Sequence, residues 1–176
     1  GGAATAVVGA APLLRMTGIA KAFPGVQALS DVAISVGRGE VHALLGENGA
    51  GKSTLIKIMT GVPQPDSGTI KVGGQPVSFR TTQEAQAAGI AAIYQEPMVL
   101  PDLNVAENIF MGHMPGRTSG FIDWPQMRQR TAELLKSIEA DFDPDDKLKQ
   151  LSVAQKHMVE IARALSHEAS VIIMDE

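Results

Sequence analysis

Val41-His42-Ala43-Leu44-Leu45 is followed by Gly46-Glu47-Asn48-Gly49-Ala50-Gly51-Lys52-Ser53-Thr54, and then by Leu55-Ile56-Lys57-Ile58-Met59. A short apolar run, a glycine-rich turn and a helical pattern thus stand in order. The middle part fits G-x-x-x-x-G-K-[ST], the phosphate-binding loop, in the strand-before, helix-after setting that the motif requires. A triphosphate needs backbone N–H groups wrapped closely around it, and glycine lets the chain turn that tightly. The helix that follows aims its positive end at the phosphates. Gly46, Glu47, Asn48, Gly49, Ala50, Gly51 and Thr54 are therefore read as the cradle. Lys52 is expected to reach the outer phosphates, and the Ser53 hydroxyl to ligate Mg²⁺.

Working outward, the bulk numbers restrict the setting. A chain of 176 residues, 44% hydrophobic and 19% charged, is long enough for one domain with a core. Its net charge of -4 argues against a nucleic-acid partner, which needs a basic face. Without cysteine there is no disulfide framework and no thiolate metal site. No apolar run approaches the roughly 18 residues of a membrane span, so any membrane link runs through another protein. Residues 1–12 are small and nearly uncharged, lack the pattern of a secretion signal, and are read as a disordered tail. The four histidines, His42, His113, His157 and His167, show no ligand spacing.

Leu13 to Ala22 reads as a first strand, with a turn at Pro24-Gly25. Val32, Ile34 and Val36 alternate with small or polar residues, as on a half-buried strand. Gly37-Arg38-Gly39 turns the chain into the strand that feeds the phosphate loop, and the helix after Lys52 stops at Gly61 before Pro63. Thr69 to Val72 and Gln75 to Phe79 read as a hairpin. Thr81-x-x-Glu84, Asn104-x-x-Glu107 and Ser152-x-x-Gln155 are helix-capping boxes. Asp123 can cap a helix from Pro125 to Glu139, with Met127, Leu134, Leu135 and Ile138 on one face. Arg128, Arg130 and Lys136 read as its solvated side, and Trp124 as packing at its start. The last helix places Met158, Ile161, Ala162 and Leu165 at core spacing, and Ile90 to Tyr94 and Val171 to Met174 read as buried strands.

Strands, a phosphate loop, helices, and a strand ending in Asp175-Glu176 make an α/β order. It resembles the nucleotide-binding domain of an ABC transporter: a P-loop NTPase with an antiparallel β lobe, a partly parallel core sheet and an inserted helical lobe. The resemblance narrows with Lys21-Ala22-Phe23-Pro24-Gly25-Val26, Tyr94-Gln95-Glu96, Val105-Ala106-Glu107-Asn108-Ile109, Gly120-Phe121-Ile122-Asp123-Trp124 and Met158-Val159-Glu160-Ile161-Ala162-Arg163-Ala164-Leu165. These blocks are similar to the ATP-binding subunit of bacterial monosaccharide importers of the ribose, xylose and galactose class. The likeness runs from about Leu13 to Glu176, so residues 13–176 are expected to form the domain.

The resemblance implies roles. Asp175 would hold Mg²⁺ and Glu176 would act as base toward the attacking water; both jobs need carboxylates at a strand end aimed at the phosphates. Gln95 would reach the Mg²⁺ and that water, and its loop would touch the membrane partner. Phe23 would stack on adenine, although the same residue also fits simple packing. Leu151-Ser152-Val153-Ala154-Gln155 is similar to the family's signature, usually Leu-Ser-Gly-Gly-Gln, in which Ser152 and Gln155 face the γ-phosphate of a partner domain's nucleotide. Val153 and Ala154 put Cβ atoms where glycines would admit the backbone, so weaker phosphate contact is expected; the motif equally fits a capped helix and nothing more.

The implied cofactors are ATP and Mg²⁺. The implied partners are permease subunits, a periplasmic sugar-binding protein indirectly, and a second nucleotide-binding domain. The implied location is the inner face of the bacterial plasma membrane. The chain ends directly after its last strand, which the resemblance reads as C-terminal truncation at the Asp-Glu pair, and turnover by these residues alone is expected to be poor. A non-transport ABC ATPase, a nucleotide-binding fragment without catalysis, and a phosphate-loop kinase or GTPase are the competing readings. The last would normally carry Asn-Lys-x-Asp for guanine, and no such tetrapeptide occurs.

Overall fold

The computed structural model describes residues 11–47, 49–116 and 120–175. Residues 1–10 of the tail expected over residues 1–12, together with Asn48 and Glu176, lie outside them. The chain divides at Ala85 into two compact units.

The first unit is built on an antiparallel sheet in the order β2-β1-β3-β4. Its strands are β1 (Leu14–Phe23), β2 (Val26–Val36), β3 (Ser67–Val72) and β4 (Gln75–Val77). The Pro24-Gly25 turn joins β1 to β2 and sets Phe23 opposite Val26. In β2 the expected alternation appears, with Val32, Ile34 and Val36 half-buried between exposed neighbours. Leu14, Met16 and Ile19 of β1 bury completely with Leu29 and Ile70. Helix α1 (Lys52–Met59) adds Leu55, Ile56, Ile58 and Met59 to the core of this unit. It stops at Thr60 and Gly61, where Gly61 takes φ +101°.

One expectation fails here. Val41 to Leu45 is not a strand: it has no regular secondary structure and its side chains are exposed, Val41 at 97% and Leu45 at 89%. An apolar run becomes a strand only where a neighbour takes up its N–H and C=O groups. Among the described residues no backbone hydrogen bond reaches this run.

The second unit holds a parallel pair, β5 (Ile90–Ile93) and β6 (Val171–Met174), and three main helices. Helix α2 (Thr82–Ala87) leads into it; Thr81 Oγ1 accepts from Glu84 N–H at 3.2 Å, while Glu84 reaches back to Arg80 N–H rather than to its cap. Helices α3 (Val105–Phe110), α4 (Trp124–Ser137) and α5 (Val153–Ser166) carry the caps foreseen at Asn104, Asp123 and Ser152. Their core joins Val105, Ile109 and Phe110 to Met127, Leu135, Leu148, Val159 and Ala162. Leu134 and Ile138 pack against it only partly buried. On α5 the buried face is Val159, Ala162 and Ala164; Met158, Ile161 and Leu165 are half-buried. The small side chains of Ala162 and Val159 let α3 and α4 come close, which displaces the face from the larger residues. No described helix is long and apolar enough to cross a membrane.

At the surface, one reading is corrected and one holds. Trp124 is 49% exposed and lines a groove with Met127, Arg128, Asp143 and Asp145, rather than closing the start of its helix. Arg128, Arg130 and Lys136 are exposed, as expected of a solvated side; there Arg128 pairs with Asp145 and Arg130 lies 5.1 Å from the Phe110 ring centre.

The turn after α3 meets the end of α5 through two stacked histidine rings, His113 and His167, 3.8 Å apart. Burial, first, lowers the affinity of both for a proton; the positive Arg163 adds to this, as does Arg130 for His113 and His113 for His167, against one opposing bond from His113 to the Met111 carbonyl. Both rings are therefore neutral in the fold at a pH where unfolded histidine, with its ordinary value of 6.5, begins to charge. The unfolded state then binds more protons, so this contribution is complete above the ordinary value and is lost as pH falls below it. Melting temperature should drop between neutral pH and about pH 5.5 (roughly a unit below ordinary histidine). His167→Phe should flatten that drop.

Candidate phosphate-binding loop and the strand-end residues

Residues 46–54 lie in the first unit. The chain leaves Glu47 in a turn closed by Ala50 N–H to Glu47 O at 3.1 Å, and Gly49 and Gly51 both take φ +88°. Gly51 is the residue before α1, and no side chain caps the helix. The N–H groups of its first turn, apart from that of Leu55, which bonds Gly51 O at 2.9 Å, are offered to whatever meets the loop. A Cβ on Gly51 would stand 2.5 Å from the Ala28 carbonyl oxygen and 2.7 Å from a Leu29 methyl, so β2 backs the loop directly and leaves space for glycine alone. The Lys52 ammonium donates to the Gly46 carbonyl oxygen, which holds its charge against the loop. Ser53 is exposed, one residue into the helix, and Thr54 is half-buried. Gly46, Glu47, Gly49 and Ala50 are exposed.

This arrangement suits a polyphosphate. Backbone donors at a helix N-terminus, a positive side chain held against the loop and an exposed hydroxyl lie within one short stretch of chain. The cradle exists because the position nearest β2 has no Cβ.

Phe23 ends β1 with its ring 43% exposed and the Lys21 ammonium 5.6 Å from the ring centre. It is thus available for stacking rather than committed to the core. Lys21 also pairs with Asp66 at 2.9 Å, and this hydrogen bond, followed by one from Ala22 N–H, holds the Asp66 carboxyl below its usual range.

The second unit brings Gln95 and Asp175 together. Ile93 of β5 pairs with Met174 of β6, and Asp175 N–H donates to Ile93 O at 2.9 Å. Gln95 and Asp175 therefore leave the same end of adjacent parallel strands, the carboxyl end at which α/β sheets place their ligands. Gln95 is exposed, and its side-chain amide has no hydrogen bond among the described residues. The Gln95 amide and the Asp175 carboxylate offer hard oxygen donors of the kind Mg²⁺ takes beside phosphate oxygens.

Ser152 caps α5 in both senses: its Oγ accepts from Gln155 N–H at 3.1 Å, and Gln155 Oε1 accepts from Ser152 N–H at 2.9 Å. Gln155 Nε2 also donates to Asp141 at 3.1 Å. Val153, at the first helical position, is 62% exposed. Two residues that sequence reasoning did not single out, His157 and Glu160, bond the segment carrying Gln95. Their partners are 62 positions away, so no local pattern could have found them.

Residues 29–176 match the ABC transporter family. The chain is 53% identical over 165 residues to a ribose import ATP-binding protein from Rhizobium meliloti, an alignment covering 94% of this chain and 33% of that protein. A ribose import ATP-binding protein from Streptomyces avermitilis is 50% identical over 168 residues, covering 96% and 33%. The chain thus spans about a third of the length of the curated relatives it matches. Among solved structures, a Clostridium perfringens protein that is part of an ABC transporter complex matches with a TM-score of 0.80 and 27% identity, covering 94% of this chain and 66% of that one. An ATP-binding cassette of an ABC transporter in its ADP conformation matches at 0.76 and 30%, covering 94% and 68%.

Proposed function

This chain belongs to the ABC transporter family, and from that premise we propose that it binds ATP–Mg²⁺ and, within its transporter, hydrolyses it to drive import of a monosaccharide. The observation that carries the reading is the uncapped start of α1 behind Gly51, backed so closely by Ala28 that only glycine fits. The sugar class is supported by the ribose import proteins to which the chain is similar.

In this reading the N–H groups from Gly49 to Thr54 hold the phosphates, with Glu47 and Asn48 shaping the loop, and Lys52 places its charge on the outer ones. Ser53, Gln95 and Asp175 hold Mg²⁺, which when bound neutralises charge on the phosphate oxygens. Phe23 stacks on adenine. Glu176 takes the proton of the attacking water, a role worth roughly 10²–10⁴ in rate. Ser152 and Gln155 present α5 to the nucleotide of a second nucleotide-binding domain, and Val153 weakens that contact. The permease, fed by a periplasmic sugar-binding protein, holds residues 13–176 as one nucleotide-binding domain at the inner face of the plasma membrane.

The test is sugar-dependent ATP hydrolysis by the transporter assembled from this protein with its permease and receptor in vesicles. Sugar-loaded receptor should stimulate hydrolysis, and Lys52→Ala should abolish both hydrolysis and uptake. Co-purification with ribosomes or DNA in place of a permease, with no response to sugar, would point to a non-transport ATPase instead.

A further inference from the structure

Helix α5 grips the segment that carries Gln95 with two side chains from one side. His157 Nε2 donates to the Gln95 carbonyl oxygen at 3.1 Å, and Glu160 Oε1 accepts from the Met98 N–H at 3.0 Å. Residues three apart on a helix face the same way, one turn above the other. A third fixing comes from α3. There the buried Asn108 accepts from Leu100 N–H at 2.8 Å and donates to Leu100 O at 3.1 Å. Between the end of β5 and the start of α3 the chain has no helix or strand, so side chains satisfy its backbone in place of a ladder.

Two features show that the grip serves more than the helix. The second oxygen of Glu160, Oε2, is buried with no partner among the described residues. An unpaired buried carboxylate oxygen is costly, so a carboxylate is a poor choice here for packing alone. What Glu160 gains is a charge-assisted bond to one particular amide, the stronger kind. Both contacts also fall on backbone atoms on either side of Glu96 and Pro97, not on the Gln95 amide, which they leave available.

We infer that His157 and Glu160 are positioning residues for Gln95, tying its loop to the helix that begins at Ser152 so that the two move as one piece. The inference rests on the role proposed above for Gln95.

The experiment uses the assembled transporter. Glu160→Ala should lower kcat roughly tenfold, the scale on which small misplacements of reacting groups act, while KM for ATP changes by less than about twofold. Glu160→Gln keeps an oxygen acceptor for the Met98 N–H and should return most of the rate. Hydrogen exchange at Met98 should speed up in the alanine variant and stay slow in the glutamine variant. His157→Phe, which removes the donor to Gln95, should reproduce the kcat loss and decides the matter should Glu160→Ala not fold. An unchanged kcat in these variants, or a loss of ATP affinity and melting temperature in step with kcat, overturns the inference. Lys52→Ala run in parallel separates the two levels: if it stops turnover while Glu160→Ala and His157→Phe do not slow it, only the positioning role fails. If Lys52→Ala leaves turnover intact, the reading beneath fails and the inference with it.

Discussion

Gly51→Ala should melt the first unit at a markedly lower temperature and remove nucleotide binding together with it. Gly51 takes φ +88°, a left-handed conformation that costs a residue with a Cβ about 1–2 kcal/mol. The new methyl would also stand 2.5 Å from the Ala28 oxygen, which is backbone and cannot swing aside. Forcing atoms into filled space costs about a further 1–3 kcal/mol. Together these take a large share of a domain's typical stability of about 5–15 kcal/mol. Gly49 offers the control. It has the same φ of +88° but nothing within 4 Å of its Cβ position, so Gly49→Ala should show the conformational cost alone. Thermal melts of the two variants side by side measure the difference; equal losses would refute the close approach of β2 to the loop.

Lys52→Ala should behave in the opposite way, leaving the melt nearly unchanged and striking binding. Among the described residues its ammonium bonds the exposed Gly46 carbonyl alone, which water can satisfy once the side chain is gone. Toward a triphosphate the same group makes charge-assisted bonds worth about 1.5–3 kcal/mol, so affinity should fall by about 10- to 150-fold. The two variants thus separate a residue that shapes the cradle from one that charges it.

The difference between what could and could not be read from the sequence follows the range of the forces involved. The caps at Asn104, Asp123 and Ser152 were legible because donor and acceptor lie within three residues of each other. The turn at Pro24-Gly25 was legible from its residues, whereas the register shifts farther along β1 were not. The run from Val41 to Leu45 was misread because apolar character marks a candidate strand, while forming one takes a partner. The buried face of α5 was only partly legible: Ala162 is buried as expected, but Val159 and Ala164 fill the core in place of Met158, Ile161 and Leu165, which stay half-buried. At the site, the phosphate loop could be read because its chemistry is spelled in consecutive residues. The meeting of Gln95 and Asp175 at one sheet end depends on β5 pairing with β6 far along the chain; the family resemblance implied it, but no local pattern could.

Every role assigned above requires that the loop around Lys52 hold ATP–Mg²⁺. Isothermal titration of folded protein with ATP in the presence of Mg²⁺ measures this directly. Saturable one-site binding that weakens at least about tenfold in Lys52→Ala, with the melt preserved, is the predicted result. Folded protein that takes up no ATP, or that binds it equally well without the Lys52 ammonium, would contradict it.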